Sequence, residues 1–124
     1  MKNIESQTMS HYAPGDIILA PFPHDHEGRA KVRPAIVITI NSDGDLCCCP
    51  IRSTPRTGST CIPISIDDFD EGGLDLFSES YVQTDTVRTI KRRAVIGKKG
   101  HVSGEMKEMI EKLILQHLKR TGYT

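Results

Sequence analysis

Two periodicities divide this chain. Over its first three quarters, apolar residues come in short β-branched runs separated by polar loops. Near the end they recur at helical spacing. Pro14-Gly15-Asp16 is a turn signal, and Ile17 to Ala20 behind it reads as a first strand. Pro23 to Val32 is polar and reads as a long loop. Pro34 to Ile40 is the clearest strand, and residues 41–45 (NSDGD) form a hairpin turn back into Leu46 to Ile51. A second polar loop, RSTPRTGST, spans 52–60. Cys61 to Ile66 alternates, but Pro63 demotes it to an edge or bulged strand. Asp67 to Asp75 should be an exposed acidic excursion. Short strands are expected at 80–85 and 87–91, continuous through Thr86 if unbroken, with a further one at 94–96.

Met106, Met109, Ile110, Leu113, Ile114, His117 and Leu118 make the stripe of an amphipathic helix. Ser103 is its natural N-cap, Glu105 complements the dipole in the first turn, and Lys119, Arg120 and Gly122 signal its end. The resulting expectation is a mainly β (β+α) fold. It comprises a flexible N-terminal arm over 1–13 and one domain over 14–120, a small barrel or strongly bent sheet closed by a helix at 104–120.

Length and composition agree with this. A chain of 124 residues suffices for one core. There is no Trp, so the core must be built from Ile, Val, Leu, Met and Cys. No apolar run approaches the ~20 residues of a membrane span, and the polar start has no signal-like apolar region. A soluble, cytoplasmic protein is expected. Three of the four cysteines are consecutive (Cys47, Cys48, Cys49). Strand neighbours point to opposite faces, so these three cannot converge on zinc and read as small apolar residues in reduced form.

Charge modifies the picture. The sixteen Lys and Arg balance sixteen Asp and Glu, which argues against tight nonspecific nucleic-acid binding. Yet the signs are segregated. Arg88 to Lys99 holds six bases and no acid, whereas Thr57 to Val87 holds seven acids and no base.

Hydrolase, nucleotide-binding and zinc-protease motifs are missing from the chain. His24-Asp25-His26 has no third ligand nearby in sequence, so no metal or other cofactor is expected. Asp67 and Asp70 could form a carboxylate pair, but acidic turns are far commoner. What remains is a concentration of Arg, hydroxyl and His groups on two loops. Arg33 stands where the first loop meets the second strand; Arg52, Ser53, Thr54 and Arg56 leave the next one. A hairpin returns its chain to the same end of a sheet, so the two groups should converge there. Guanidinium groups would then grip phosphate oxygens and stabilise charge on a pentacoordinate phosphorus. A surface Arg in an ordinary ion pair is the competing interpretation for each.

PGDIILAPFP, a polar loop, VRPAIVIT, CPIRS (49–53), DTVRTI (85–90) and a helix after Val102-Ser103 together resemble the MazF/PemK family of toxins over roughly residues 12–118. The resemblance implies an SH3-like barrel, a homodimer, and a toxin of a type II toxin–antitoxin system that cuts single-stranded mRNA. The 2′-hydroxyl is the nucleophile and a 2′,3′-cyclic phosphate the product, without a metal. It also implies a cognate antitoxin with an acidic flexible tail. The family's catalytic Arg falls on Arg33, and the Arg of its Arg-Thr-Ile-like block on Arg88. The family's catalytic Thr falls on Arg52, a departure that leaves Ser53 or Thr54 to supply the hydroxyl.

An Arg is charged at physiological pH and makes a poor general base, so a loop histidine, His24 or His26, is the expected proton acceptor. The RNA-binding set is read as Arg29, Lys31, Arg52, Arg56 and Arg88, on the side away from the acidic stretch, with Phe22 the best-placed aromatic for stacking. The alternative is a non-catalytic barrel of the same fold that binds RNA or a protein target such as gyrase.

Overall fold

The structure, a computed structural model, describes residues 11–23, 30–54, 60–72 and 80–120. Its strands are β1 (Asp16–Pro23), β2 (Ala30–Ile40), β3 (Leu46–Arg52), β4 (Cys61–Ile64), β5 (Phe69–Gly72), β6 (Ser80–Gln83), β7 (Arg88–Ile90) and β8 (Gly97–Val102). The helix α1 covers Gly104–Arg120. The sheet order is β4-β6-β3-β2-β1-β8-β5, with β7 also paired to β3. Every pairing is antiparallel, and the sheet curls as the barrel expectation required.

Alternation along the strands gives the sheet two apolar faces. The inner face gathers Ile17, Ile36, Cys49, Ile51, Ile62, Ile64, Val82 and Val102 from six strands, and α1 closes it with Met106, Ile110 and Ile114. Ile110 is fully buried; burying such a side chain contributes about 1.5–3 kcal/mol. Met109, expected on this stripe, is 45% exposed, so the buried seam is the narrower i, i+4, i+8 line of Met106, Ile110 and Ile114. The outer face holds Ile18, Ala20, Phe22, Ala35, Val37, Leu46, Cys48 and Ile90, with Tyr12, Ala94 and Val95 packed against it.

Several local expectations change for physical reasons. The two ends of the first polar stretch are strand, because β1 runs to Pro23 and β2 starts at Ala30; residues 24–29 lie outside the described residues. The 80–91 segment breaks between β6 and β7 because each pairs with a different part of β3: β7 with Leu46 to Cys48, β6 with Ile51 and Arg52. The strand expected at 94–96 lies further on, as β8, after a 3₁₀ turn at Arg92–Ala94. The acidic excursion contains a 3₁₀ turn, Ile66–Asp68, and the edge strand β5. Pro63 does sit on an edge strand, β4, and is exposed. Ser103 caps α1 as expected, its Oγ accepting from Met106 N at 3.1 Å.

The Pro14-Gly15-Asp16 turn ties three parts of the chain together. Gly15 N donates to Val37 O and Gly15 O accepts from Val102 N. Its φ of +98° favours glycine, and a Cβ there would meet the His101 ring at 3.0 Å. Asp16 is buried and accepts from Ala13 N, while His101 and Lys98 approach its other oxygen at 2.7 and 3.4 Å. Gly72, at φ +63°, lets β5 approach β8 so closely that a Cβ would stand 2.4 Å from Lys99 O.

Candidate nucleic-acid interface

The register of the central strands assembles the candidate residues on one face. In β1 and β2, Ala20 lies opposite Arg33 and Phe22 opposite Lys31. In β2 and β3, Ala35 lies opposite Pro50 and Val37 opposite Cys48. The β2–β3 pairing ends at Ala35 and Pro50; carried two residues beyond it, the same register would set Arg33 across from Arg52. On the other side of β3, Arg52 lies opposite Tyr81 of β6, and Cys48 opposite Arg88 of β7. By alternation from Ala35, Cys48 and Ile90, the side chains of Arg33, Arg52 and Arg88 all leave the outer face.

Spacing decides which of them can act together. Neighbouring strands lie about 4.8 Å apart, so Arg33 and Arg52 can reach one phosphate. Arg88 sits two rungs along, about 13 Å in the strand direction, which suits a neighbouring phosphate of the same strand of nucleic acid. Arg33 and Arg52 are half-buried and Arg88 and Lys31 exposed. Ser53 and Thr54 follow Arg52 directly in an exposed bend. In the sheet order, β2, β1 and β8 separate β3 from the acidic edge strand β5.

His24, His26, Arg29 and Arg56 lie outside the described residues. Phe22 does not serve as a stacking platform: β1 continues through it, so its ring falls in line with Ile18 and Ala20 and is only 4% exposed. Other bases of the 88–99 run have structural duties. Lys91 pairs with Asp45 at 3.4 Å, and Arg92 Nε donates to Gly44 O, both fastening the β2–β3 hairpin.

Two cysteines of the CCCP run, Cys48 and Cys49, are buried and held as neutral thiols. Burial, then the neighbouring Cys47, pushes the Cys48 thiol up to about 12; burial, then Cys48 and Asp85, does the same to Cys49. All four cysteines are free thiols. Among the described residues no three His, Cys, Asp or Glu side chains form a group able to hold a metal ion.

Two further residues of this face escaped the sequence reading, Tyr81 and Gln83. As alternate residues of β6 they leave the same face as Arg52, with Val82 between them turned to the inner core. Tyr81 is half-buried and Gln83 is 3% exposed. Gln83 Nε2 donates to Thr86 Oγ1 at 3.0 Å, and Thr86 Oγ1 donates its single proton to Asp85 Oδ1 at 3.2 Å. Asp85 Oδ2 accepts from Thr60 N at 3.2 Å. This chain of donors fixes the amide, and among the described residues Gln83 Oε1 is left buried with no hydrogen-bond partner, at a cost of about 1–3 kcal/mol. No local signal in residues 80–85 marks them, because their place depends on β6 pairing with the far end of β3.

Solved structures share this fold. An endoribonuclease in complex with its cognate antitoxin, from a mycobacterial species, aligns with a TM-score of 0.60 at 14% identity, covering 88% of this chain and 96% of that one. The Mycobacterium tuberculosis toxin MazF-mt6 aligns with a TM-score of 0.57 at 20% identity, over 82% and 96%. A chain of the Deinococcus radiodurans MazE–MazF crystal structure gives 0.58 at 16%, over 88% and 98%. No curated protein matches the chain. Residues 13–118 match the sequence pattern of the PemK-like, MazF-like toxins of type II toxin–antitoxin systems, and the chain belongs to that family.

Proposed function

We propose that this toxin is an endoribonuclease that cuts single-stranded mRNA through attack of a ribose 2′-hydroxyl on the adjacent phosphorus. The observation that carries the reading is that Arg33, Arg52 and Arg88 share one face of the sheet, Arg33 and Arg52 toward its β2–β3–β6 end and Arg88 further along β3 on β7. In the reaction the 2′-oxygen bonds to phosphorus and the bond to the 5′-oxygen breaks. The products are a 2′,3′-cyclic phosphate and a 5′-hydroxyl. Arg33, fixed at the rung of Ala20, balances the charge that grows on the phosphoryl oxygens, and Arg52 shares that phosphate. Ser53 or Thr54 supplies a hydroxyl at the same phosphate. Arg88 holds the next phosphate. His24 or His26, on the connection between β1 and β2, takes the 2′-proton and, as imidazolium, passes it to the departing 5′-oxygen, which leaves as the 5′-hydroxyl.

End chemistry tests this route. RNA fragments made by the protein should accept label from a polynucleotide kinase without prior phosphatase treatment. Fragments that need the phosphatase carry 5′-phosphates and exclude 2′-hydroxyl attack.

The partners of this reading are single-stranded RNA, a second copy of the chain and a cognate antitoxin. Two of the similar structures are toxin–antitoxin complexes, which supports the last. Arg52 in the place of the family's Thr favours one second reading, a toxin that grips RNA or a protein target such as gyrase without cutting RNA.

A further inference from the structure

We infer that β6 reads a nucleobase, with Tyr81 carrying the base and Gln83 selecting it. The inference rests on the RNA reading of the site and extends it from phosphate binding to base recognition. Phosphate contacts position a strand but carry no sequence information; that comes from base faces and base edges. Arg33 and Arg52 provide the first kind of contact, and a base attached to the gripped nucleotide must lie beside them. Tyr81 stands directly across from Arg52 on the next strand, on the same face, and is half-buried rather than sealed in the core. With Phe22 enclosed in the outer-face core, Tyr81 is the aromatic ring placed beside the phosphate-binding rung. Base–aromatic stacking there tolerates any base.

Selection falls to Gln83, two residues along the same face. Its amide cannot turn over freely. Thr86 has one hydroxyl proton and gives it to Asp85, so Thr86 must accept from Gln83 Nε2. The orphaned Oε1 is therefore a fixed acceptor beside the stacking position. It is covered in the free protein, so a base settling on Tyr81 has to displace that cover. An imino or amino donor on the base edge then supplies the missing hydrogen bond. A base lacking the donor in register leaves the acceptor unpaired, and such unpaired groups discriminate strongly.

Binding of four single-stranded oligonucleotides, each of one repeated base and with 2′-deoxy sugars so that no nucleophile is present, tests this. With no Trp in the chain, tyrosine emission is directly visible. Wild type should bind with quenching and with a spread of affinities across the four bases. Tyr81→Phe should keep the affinity and lose the quench, Tyr81→Leu should bind about tenfold more weakly, and Gln83→Met should narrow the spread. Circular dichroism confirms the fold of each variant. Tyr81→Leu binding as tightly as wild type, an unchanged quench in Tyr81→Phe, or an unchanged spread in Gln83→Met overturns the inference, as does absence of binding to all four. Cleavage that depends on Arg33 without any Tyr81 quench leaves the nuclease standing and removes base reading; quenching without cleavage does the reverse.

Discussion

Asp16 Oδ1 lies 2.7 Å from His101 Nδ1, joining the first residue of β1 to the penultimate residue of β8. A carboxylate only accepts, so the imidazole must donate through Nδ1. Asp16 is 1% exposed and also takes the Ala13 N–H at 2.8 Å. Asp16→Ala strips the partners from His101, Lys98 and Ala13 at once and should cost about 3 kcal/mol in denaturant unfolding. His101→Ala, at a more exposed position, should cost less. Equal losses would mean that the packing of His101 against Gly15 matters more than the ion pair.

Much of this architecture was legible in the residue pattern. The hairpin, the edge position of Pro63, the Ser103 cap and the barrel-plus-helix class all follow from local chemistry: turn residues, a missing N–H, a hydroxyl before a helical stripe. That Arg33 and Arg52 lie on neighbouring strands toward the same end of the sheet followed from hairpin geometry. Tyr81 and Gln83 were not legible, because their membership in the site depends on β6 pairing with the far end of β3, a contact between distant parts of the chain. Phe22 was misread for a related reason. Its neighbours looked like loop, but pairing with Lys31 extends β1 and turns the ring into the core. Met109 shows that an apolar stripe can be wider than the face the sheet covers.

The buried thiols fix a pH dependence. Cys48 and Cys49 titrate near 12 when folded, against about 8.5 in an unfolded chain. Stability from keeping them neutral is full below pH ~8.5 and is lost as pH rises toward 12, by up to about 1.4 kcal/mol per pH unit for each thiol. Urea midpoints should fall over that window, and Cys48→Ala should flatten the fall even though it lowers stability at neutral pH. At pH 8 the half-buried Cys47 and Cys61 should react with a thiol reagent well before Cys48 and Cys49 do. Equal rates at all four would contradict the burial described.

Salt dependence separates the arginines on the site face from the structural bases. Each phosphate contact on a single strand contributes about 0.7 to the slope of log affinity against log salt. Arg52→Ala and Arg88→Ala should each lower that slope by about this amount for single-stranded RNA. Lys91→Ala, a residue bound to Asp45, should leave it unchanged. A slope altered only by the Lys91 change would move the RNA to the hairpin end of the sheet.

The most direct test is cleavage of a long single-stranded RNA in EDTA by the purified protein beside its Arg33→Ala variant, both shown to be folded. Wild type should cut, and the variant should lose at least 100-fold in rate, about 2.7 kcal/mol of transition-state stabilisation. Cutting by both at the same rate would remove Arg33 from the centre of the chemistry. Cutting by neither would contradict the nuclease and leave a toxin that acts by binding.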